Sequence, residues 1–130
     1  AVGGINAIAI LPVAHINGDT LNYPLGIADI PRITGSPVDL NAFKKLPQLL
    51  YMGALDDNDA AAFDDAYSAQ ERAQVYNLMG KSLVPQRWTF MQKMYEQNGV
   101  EAEFRTYQHM GHGTDAKINN DLVEFFRKHL

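Results

Sequence analysis

Hydrophobic positions along this chain follow two different periods. Leu49, Leu50, Tyr51 and Met52 form a nearly continuous apolar run after Pro47, as expected of a strand buried on both faces. Gly53 breaks that run, and Asp56, Asp57 and Asp59 follow it. Ile5 to Val13 is a second apolar, strand-like run and predicts a first strand. Val100 to Tyr107 alternates instead. Val100, Ala102, Phe104 and Thr106 point one way, and Glu101, Glu103, Arg105 and Tyr107 the other. That period predicts a half-exposed strand near a sheet edge, where charges discourage edge-to-edge pairing.

Between the strands the period changes to that of a helix. Ala60 to Gly80 is helix-prone, with Phe63, Ala66, Tyr67 and Ala73 in weak helical spacing. A firmer helix is expected from Pro85, with Trp88, Met91 and Tyr95 as its buried stripe and Asn98-Gly99 as its stop. Thr114 is a suitable N-cap for a last helix ending near His129, with Ile118, Leu122 and Phe125 or Phe126 buried. Asp39 to Lys45 suits a short helix or turn. Ala14 to Phe43 otherwise carries turn signals, among them Asn17-Gly18, Tyr23-Pro24 and Gly35-Ser36-Pro37. A loop of that length in a compact domain usually serves function or covers something.

Strands alternating with helices predict an α/β fold with a parallel sheet and helices on its faces. Such sheets hold their ligands at the carboxyl ends of the strands. The carboxylate cluster follows one strand, and Gly111-His112-Gly113 follows the next. The two loops are expected side by side on that edge. A carboxylate bonded to one imidazole nitrogen fixes the tautomer and stabilises the imidazolium. His109 lies three residues before His112, but the glycines beside His112 free that loop to aim its ring. His15 lies just past the first expected strand, on the same edge.

Composition narrows the partners. The chain has 130 residues, a net charge of −4 and no Cys. A thiolate nucleophile and a Cys-based zinc site are excluded. Scattered basic residues and the negative charge argue against nucleic acid. No apolar run reaches the length of a membrane span. Asp57-Asn58-Asp59 lacks the alternating ligands, glycine and distal Glu of a calcium loop, so no metal is expected there. No Gly-rich phosphate loop follows the first strand, which disfavours a nucleotide-binding domain, and no cofactor is expected.

The order of these pieces resembles the C-terminal half of an α/β-hydrolase, the fold of serine esterases, lipases and related peptidases. The resemblance rests on Pro47 to Met52 as the penultimate strand and Gly53-Ala54-Leu55-Asp56 after it. Tyr95-Glu-Gln-Asn-Gly99, the strand that follows it, Gly111-His112-Gly113 and the closing helix complete it. It is strongest from Leu46 to Leu130. The fold it implies is the C-terminal part of a doubly wound, mostly parallel sheet with flanking helices. It implies Asp56 as triad acid, with Asp59 as second choice, and His112 as general base. His15, Asn22 and Tyr23 would then wall the substrate cleft, and the substrate would be a small-molecule ester.

The chain departs from the family at the nucleophile. The family carries it in Gly-x-Ser-x-Gly, upstream of the acid and the base. That motif is absent, and Ser36, Ser68 and Ser82 sit on no strand-to-helix elbow. Residues 1–130 are therefore expected to be the C-terminal portion of one domain, a fragment or one chain of a split enzyme. Its partner would be the N-terminal half, or a second chain carrying the nucleophile. A non-catalytic α/β module binding a partner through its sheet edge is the alternative.

Overall fold

A computed structural model describes all of Ala1–Leu130. The protein is mixed α/β, with a three-stranded parallel sheet and five helices. The central strand, β4 (Gln48–Gly53), is buried at every residue. It lies between β1 (Val2–Ile5) and β5 (Ala102–Tyr107), and both pair with it in parallel. A short antiparallel hairpin, β2 (His15–Ile16) with β3 (Asp19–Thr20), stands apart from the sheet. The near-continuous apolar run at Leu49–Met52 thus marks the strand with a neighbour on each side.

Alternation along β4 divides the core. Leu50 and Met52 face α4 (Trp88–Gln97), in a cluster with Trp88, Met91 and Tyr95. Phe104 of β5 packs edge-on against Trp88 and Tyr95 on that face, and Trp88 Nε1 donates to Thr106 Oγ1 at 2.9 Å. The other face carries α5 (Ala116–Lys128). There Tyr107 Oη donates to Asp121, Lys128 reaches Glu103, and Phe125 and Phe126 crowd Gly3. Fully burying one Leu or Met is worth about 1.5–3 kcal/mol, so the buried side chains of β4 anchor both layers. The edge position of β5 is observed, but the expected exposure of one face is not: Glu103 and Tyr107 contact α5, and every residue of β5 except Thr106 is half-buried.

The first strand departs from expectation. It occupies Val2–Ile5 rather than Ile5–Val13. The later apolar residues are irregular chain, buried at Leu11 and Pro12 and half-buried at Ile8 to Ile10, that packs towards α4. Tyr95 Oη donates to the Ile10 carbonyl at 3.0 Å, and Leu11 is fully buried with its N–H on Leu25. A short apolar run reports burial, and burial alone does not choose between a strand and a packed loop. Two helix starts also move. Ala60 to Gly80 divides into one 3₁₀ turn (Ala60–Ala62) and α3 (Ala69–Met79). Ser68 and Glu71 form a reciprocal capping box that fixes where α3 begins. Pro85 lies in a wide turn (Leu83–Arg87), and α4 starts at Trp88. Val84, held extended before the proline, keeps the helix from starting there.

The remaining helices are short or terminal. The short helix expected over Asp39 to Lys45 is α2 (Leu40–Lys45), capped by Asp39, and α1 (Ile30–Thr34) adds one turn within the long loop. Asp115, not Thr114, caps α5, accepting from Ile118 N at 2.8 Å. No helix is long and apolar enough to cross a membrane.

Candidate functional site

The carboxyl ends of β4 and β5 are laced together by backbone bonds. Ala54 N donates to the Tyr107 carbonyl and Leu55 N to the Met110 carbonyl, each at 2.9 Å. This brings the loop after β5 directly across the end of β4. Gly53 makes room for it, because a Cβ there would overlap the carbonyl oxygens of Met110 and Gly111. The sequence marks Gly53 as a break in the apolar run, but its use is close approach of two backbones.

This crossing sets His112 beside Asp56. His112 Nδ1 lies 3.0 Å from Asp56 Oδ2. The Asp56 side chain is 1% exposed and the His112 side chain 48% exposed. The second Asp56 oxygen accepts from Asn58 N at 3.0 Å, so both carboxylate oxygens have partners. With Asp56 ionised, Nδ1 carries the imidazole proton and Nε2 is left as the acceptor. The loop itself is pinned at Gly113, whose carbonyl accepts from Tyr51 Oη at 2.9 Å and Asn6 Nδ2 at 3.4 Å. The imidazole therefore stands on a fixed backbone, with one nitrogen oriented and the other free.

Asp59 has a different partner. Its carboxylate pairs with the guanidinium of Arg87, which is 2% exposed, and also accepts from Ala61 N. Arg87 donates in addition to the carbonyls of Gly80 and Lys81 and stacks over the Tyr76 ring. Of the two acids considered, Asp56 is the one against His112. His109 is exposed in the turn after β5 and bonds to no carboxylate.

A cavity of about 240 Å³ opens beside the pair. Asp56, His112, Asn58 and Asp59 line its polar side, and Ile8, Leu25, Met52, Val75, Met79 and Leu83 its apolar side. Tyr67 is its one hydroxyl-bearing residue, and burial pushes that phenol above its usual range, helped by the Glu71 carboxylate. No Ser or Thr lines it.

A scan against protein-family models, a search of curated proteins and a search of solved structures each returned no match.

The other expected cleft residues lie elsewhere. Asn22 and Tyr23 line a neighbouring, more polar groove of about 690 Å³ together with Glu71 and Gln74. Pro24 and Leu25, next in the chain, line both that groove and the cavity of the pair. His15 sits in the β2–β3 hairpin and lines neither space. The tight Asn17-Gly18 turn, with both residues at positive φ, folds that hairpin back on itself. Ser36 is exposed, Ser68 caps α3 and Ser82 caps the Leu83–Arg87 turn. No group of three His, Asp or Glu side chains converges on a metal-sized space.

Sequence reasoning missed Arg87 and Asn6. Arg87 reads as the polar neighbour of a proline before the Trp88 stripe, and nothing local names Asp59 as its partner. Asn6 interrupts an apolar run, which is a signal. Its amide spans to the His112 loop, and its Oδ1 is buried without a partner in this chain.

Proposed function

We propose that this chain supplies the acid and the base of a serine-hydrolase triad that cleaves an ester through an acyl-enzyme. The observation that carries this reading is the contact of a buried Asp56 with a half-exposed His112 at the mouth of a cavity. His112 Nε2 takes the proton of an attacking serine hydroxyl and later gives it to the leaving alcohol. Asp56 stays ionised, orients the ring and stabilises the imidazolium. Water then releases the acyl group by the same route. The order of β4, acid loop, β5, histidine loop and α5, with α4 and α5 on opposite faces, supports an α/β-hydrolase type of sheet. A small apolar ester suits the cavity beside the pair.

The serine belongs to another polypeptide segment or chain, since Ser36, Ser68 and Ser82 are all away from His112. A docking place for that segment is the outer edge of β1, which pairs only with β4. Val2 on that strand and Val123 and Phe126 on α5 are exposed apolar residues. The accessible surface, 7672 Å², exceeds by about 800 Å² what a compact monomer of 14.5 kDa exposes, close to one partner's share of a standard interface. The same edge favours a second reading, a non-catalytic module that binds a partner by strand addition.

Denaturing mass analysis of the purified sample after treatment with a fluorophosphonate tests the first reading. The expected label falls on a serine outside this chain, and labelling requires His112 and Asp56. Labelling that survives His112→Ala overturns the catalytic reading and leaves the partner-binding one.

A further inference from the structure

The groove next to the cavity is polar but carries no cation. Five side-chain amides line it: Asn17 and Asn22 in and after the β2–β3 hairpin, and Gln70, Gln74 and Asn77 on α3. The last three follow one another along one side of the helix. Gln74 Nε2 donates to the Thr20 carbonyl at 3.0 Å and ties the two walls together, and it is the one amide of the five that the chain itself occupies. Asp19 and Glu71 are the charged residues of the groove. Bonds to the Ser68 backbone and hydroxyl hold Glu71 below its usual carboxylate range, so it stays ionised. Tyr23 also lines the groove and is 58% exposed, while Asp29 holds its N–H at 2.7 Å. Pro24, Leu25, Tyr67 and Val75 line both the groove and the cavity of His112, so the two spaces are continuous.

We infer that the groove binds a neutral carbohydrate, the alcohol part of an acylated sugar whose ester lies beside His112. The ester rests on the hydrolase reading, but the binding of sugar does not. The class of ligand follows from donors and acceptors. An amide offers two donors on nitrogen and an acceptor on oxygen. A sugar hydroxyl both donates and accepts, so it uses both ends of the amide and also donates to a carboxylate. An ammonium group only donates and leaves the amide nitrogens idle. A phosphate only accepts, and it would meet Asp19 and Glu71 with no cation to offset them. The C–H face of a pyranose ring is apolar and fits the exposed ring of Tyr23. Burial raises the Tyr67 phenol at the junction of the two spaces, so it stays protonated and able to donate and accept. The groove, about 690 Å³, lies within the range of about 300–1,000 Å³ usual for ligand sites. The acyl group occupies the apolar cavity. On cleavage the acyl carbon–oxygen bond breaks, the acyl group passes to the serine oxygen, and the sugar oxygen takes its proton from His112 Nε2.

The test is a titration of the purified protein, with any second chain that accompanies it, read by the NMR signals of the Gln70 and Asn77 side-chain amides. The neutral probes are cellotetraose, xylotetraose, mannotetraose and maltotetraose, with tetragalacturonate as the anion and spermine as the cation. At least one neutral sugar is expected to shift both amides saturably and to leave the Asn119 and Asn120 amides on α5 unmoved. Tetragalacturonate is expected to bind at least about tenfold more weakly than that sugar. Tyr23→Ala is expected to weaken the sugar about tenfold and Tyr23→Phe much less, because the ring face makes the contact. Gln70→Leu with Asn77→Leu, read at the Asn22 amide, is expected to abolish binding, and both positions are exposed, so the fold is kept. His112→Ala is expected to keep the sugar bound. No saturable shift with any neutral sugar overturns the inference. Tighter binding of spermine or of tetragalacturonate also overturns it and makes the groove a site for that charge. Binding that survives both Tyr23→Ala and the double variant places the sugar elsewhere and overturns it too. Sugar binding without fluorophosphonate labelling keeps the carbohydrate site and removes the ester, whereas labelling without sugar binding removes the site and keeps the hydrolase reading.

Discussion

Arg87 and Asp59 form an ion pair in the wall of the cavity, and that pair assigns the carboxylates of the loop after β4. Asp59 faces a guanidinium that is 2% exposed, while Asp56, three residues earlier, faces His112. A buried pair of this kind adds little net stability, but removing one partner strands the other charge at a cost of about 3–5 kcal/mol. Asp59→Asn leaves Arg87 buried and unpaired, and the expected loss is about 3 kcal/mol in urea unfolding. Replacing the pair together by Arg87→Met and Asp59→Asn recovers most of that loss. A double variant as unstable as the single one contradicts the pairing.

On the hydrolase reading proposed above, Asp56 and His112 act as a unit, so their substitutions are expected not to be additive. In the proposed assembly with a serine-bearing segment, Asp56→Asn presents the wrong hydrogen-bonding partner to Nδ1 and lets the imidazole take the unproductive tautomer. The expected drop in kcat is about 10⁴-fold, with KM little changed. His112→Ala costs as much or more, and adding Asp56→Asn to it costs little further. Steady-state kinetics on the three variants check this. A multiplicative double variant would mean that the two residues serve separate steps.

The legible part of this fold was what periodicity encodes. The buried run at Leu49–Met52 and the stripe at Trp88, Met91 and Tyr95 report a burial pattern that the tertiary structure repeats, whereas the alternation at Ala102–Tyr107 sorts side chains to two faces that are both half covered. The contact of Asp56 with His112 was legible only as an order of loops along one sheet edge. The first strand was misplaced because Leu11 is buried, and Ile8 half-buried, in the cluster with α4, with the Leu11 N–H on the Leu25 carbonyl rather than on a ladder partner. Ser68-Ala-Gln-Glu71 is a capping signature present in the sequence, and it marks the helix start that the alanine-rich run concealed. Arg87 was unreadable because its partner is set by tertiary folding, with no local pattern to announce it.

Tyr107 and Asp121 make the α5 face sensitive to pH in two directions. Tyr107 Oη donates to Asp121 at 2.7 Å. Burial first and the Asp121 carboxylate second push the phenol up to about 12 from its usual 10. A raised folded value means the contribution is whole below pH 10 and is lost as pH rises from there towards 12. Asp121 is shifted the other way, below its usual 3.8, chiefly by the Tyr107 bond and then by Lys117. Its contribution is whole above pH 3.8 and is lost as pH falls through the lower folded value. Tyr107→Phe is expected to cost about 1 kcal/mol near neutral pH and to flatten both limbs of the stability profile. Chemical denaturation across pH measures this, and an unchanged alkaline limb would assign that loss to another group.

Gly53 is where backbone packing and the candidate chemistry meet. The Met110 and Gly111 carbonyls pass so close to its Cα that any side chain must displace them. Both obstructing atoms are backbone, so no rotamer change relieves the overlap. Gly53→Ala therefore forces the loop after β5 away from β4, straining the Leu55 N to Met110 carbonyl bond and moving His112 from Asp56. Overpacking of this kind costs about 1–3 kcal/mol, and the upper part of that range is expected here. The specific sign is at His112. Its Nδ1 proton, held by Asp56, gives a downfield NMR resonance that Gly53→Ala abolishes, together with any hydrolysis that depends on the pair. Gly99→Ala, at a glycine with open space around it, serves as the control for a general loss of stability. It is expected to lower the midpoint of unfolding, because its φ of 66° is strained for alanine, yet to keep the His112 resonance. If Gly53→Ala keeps that resonance as well, the crossing of the two loops is not what holds the pair together.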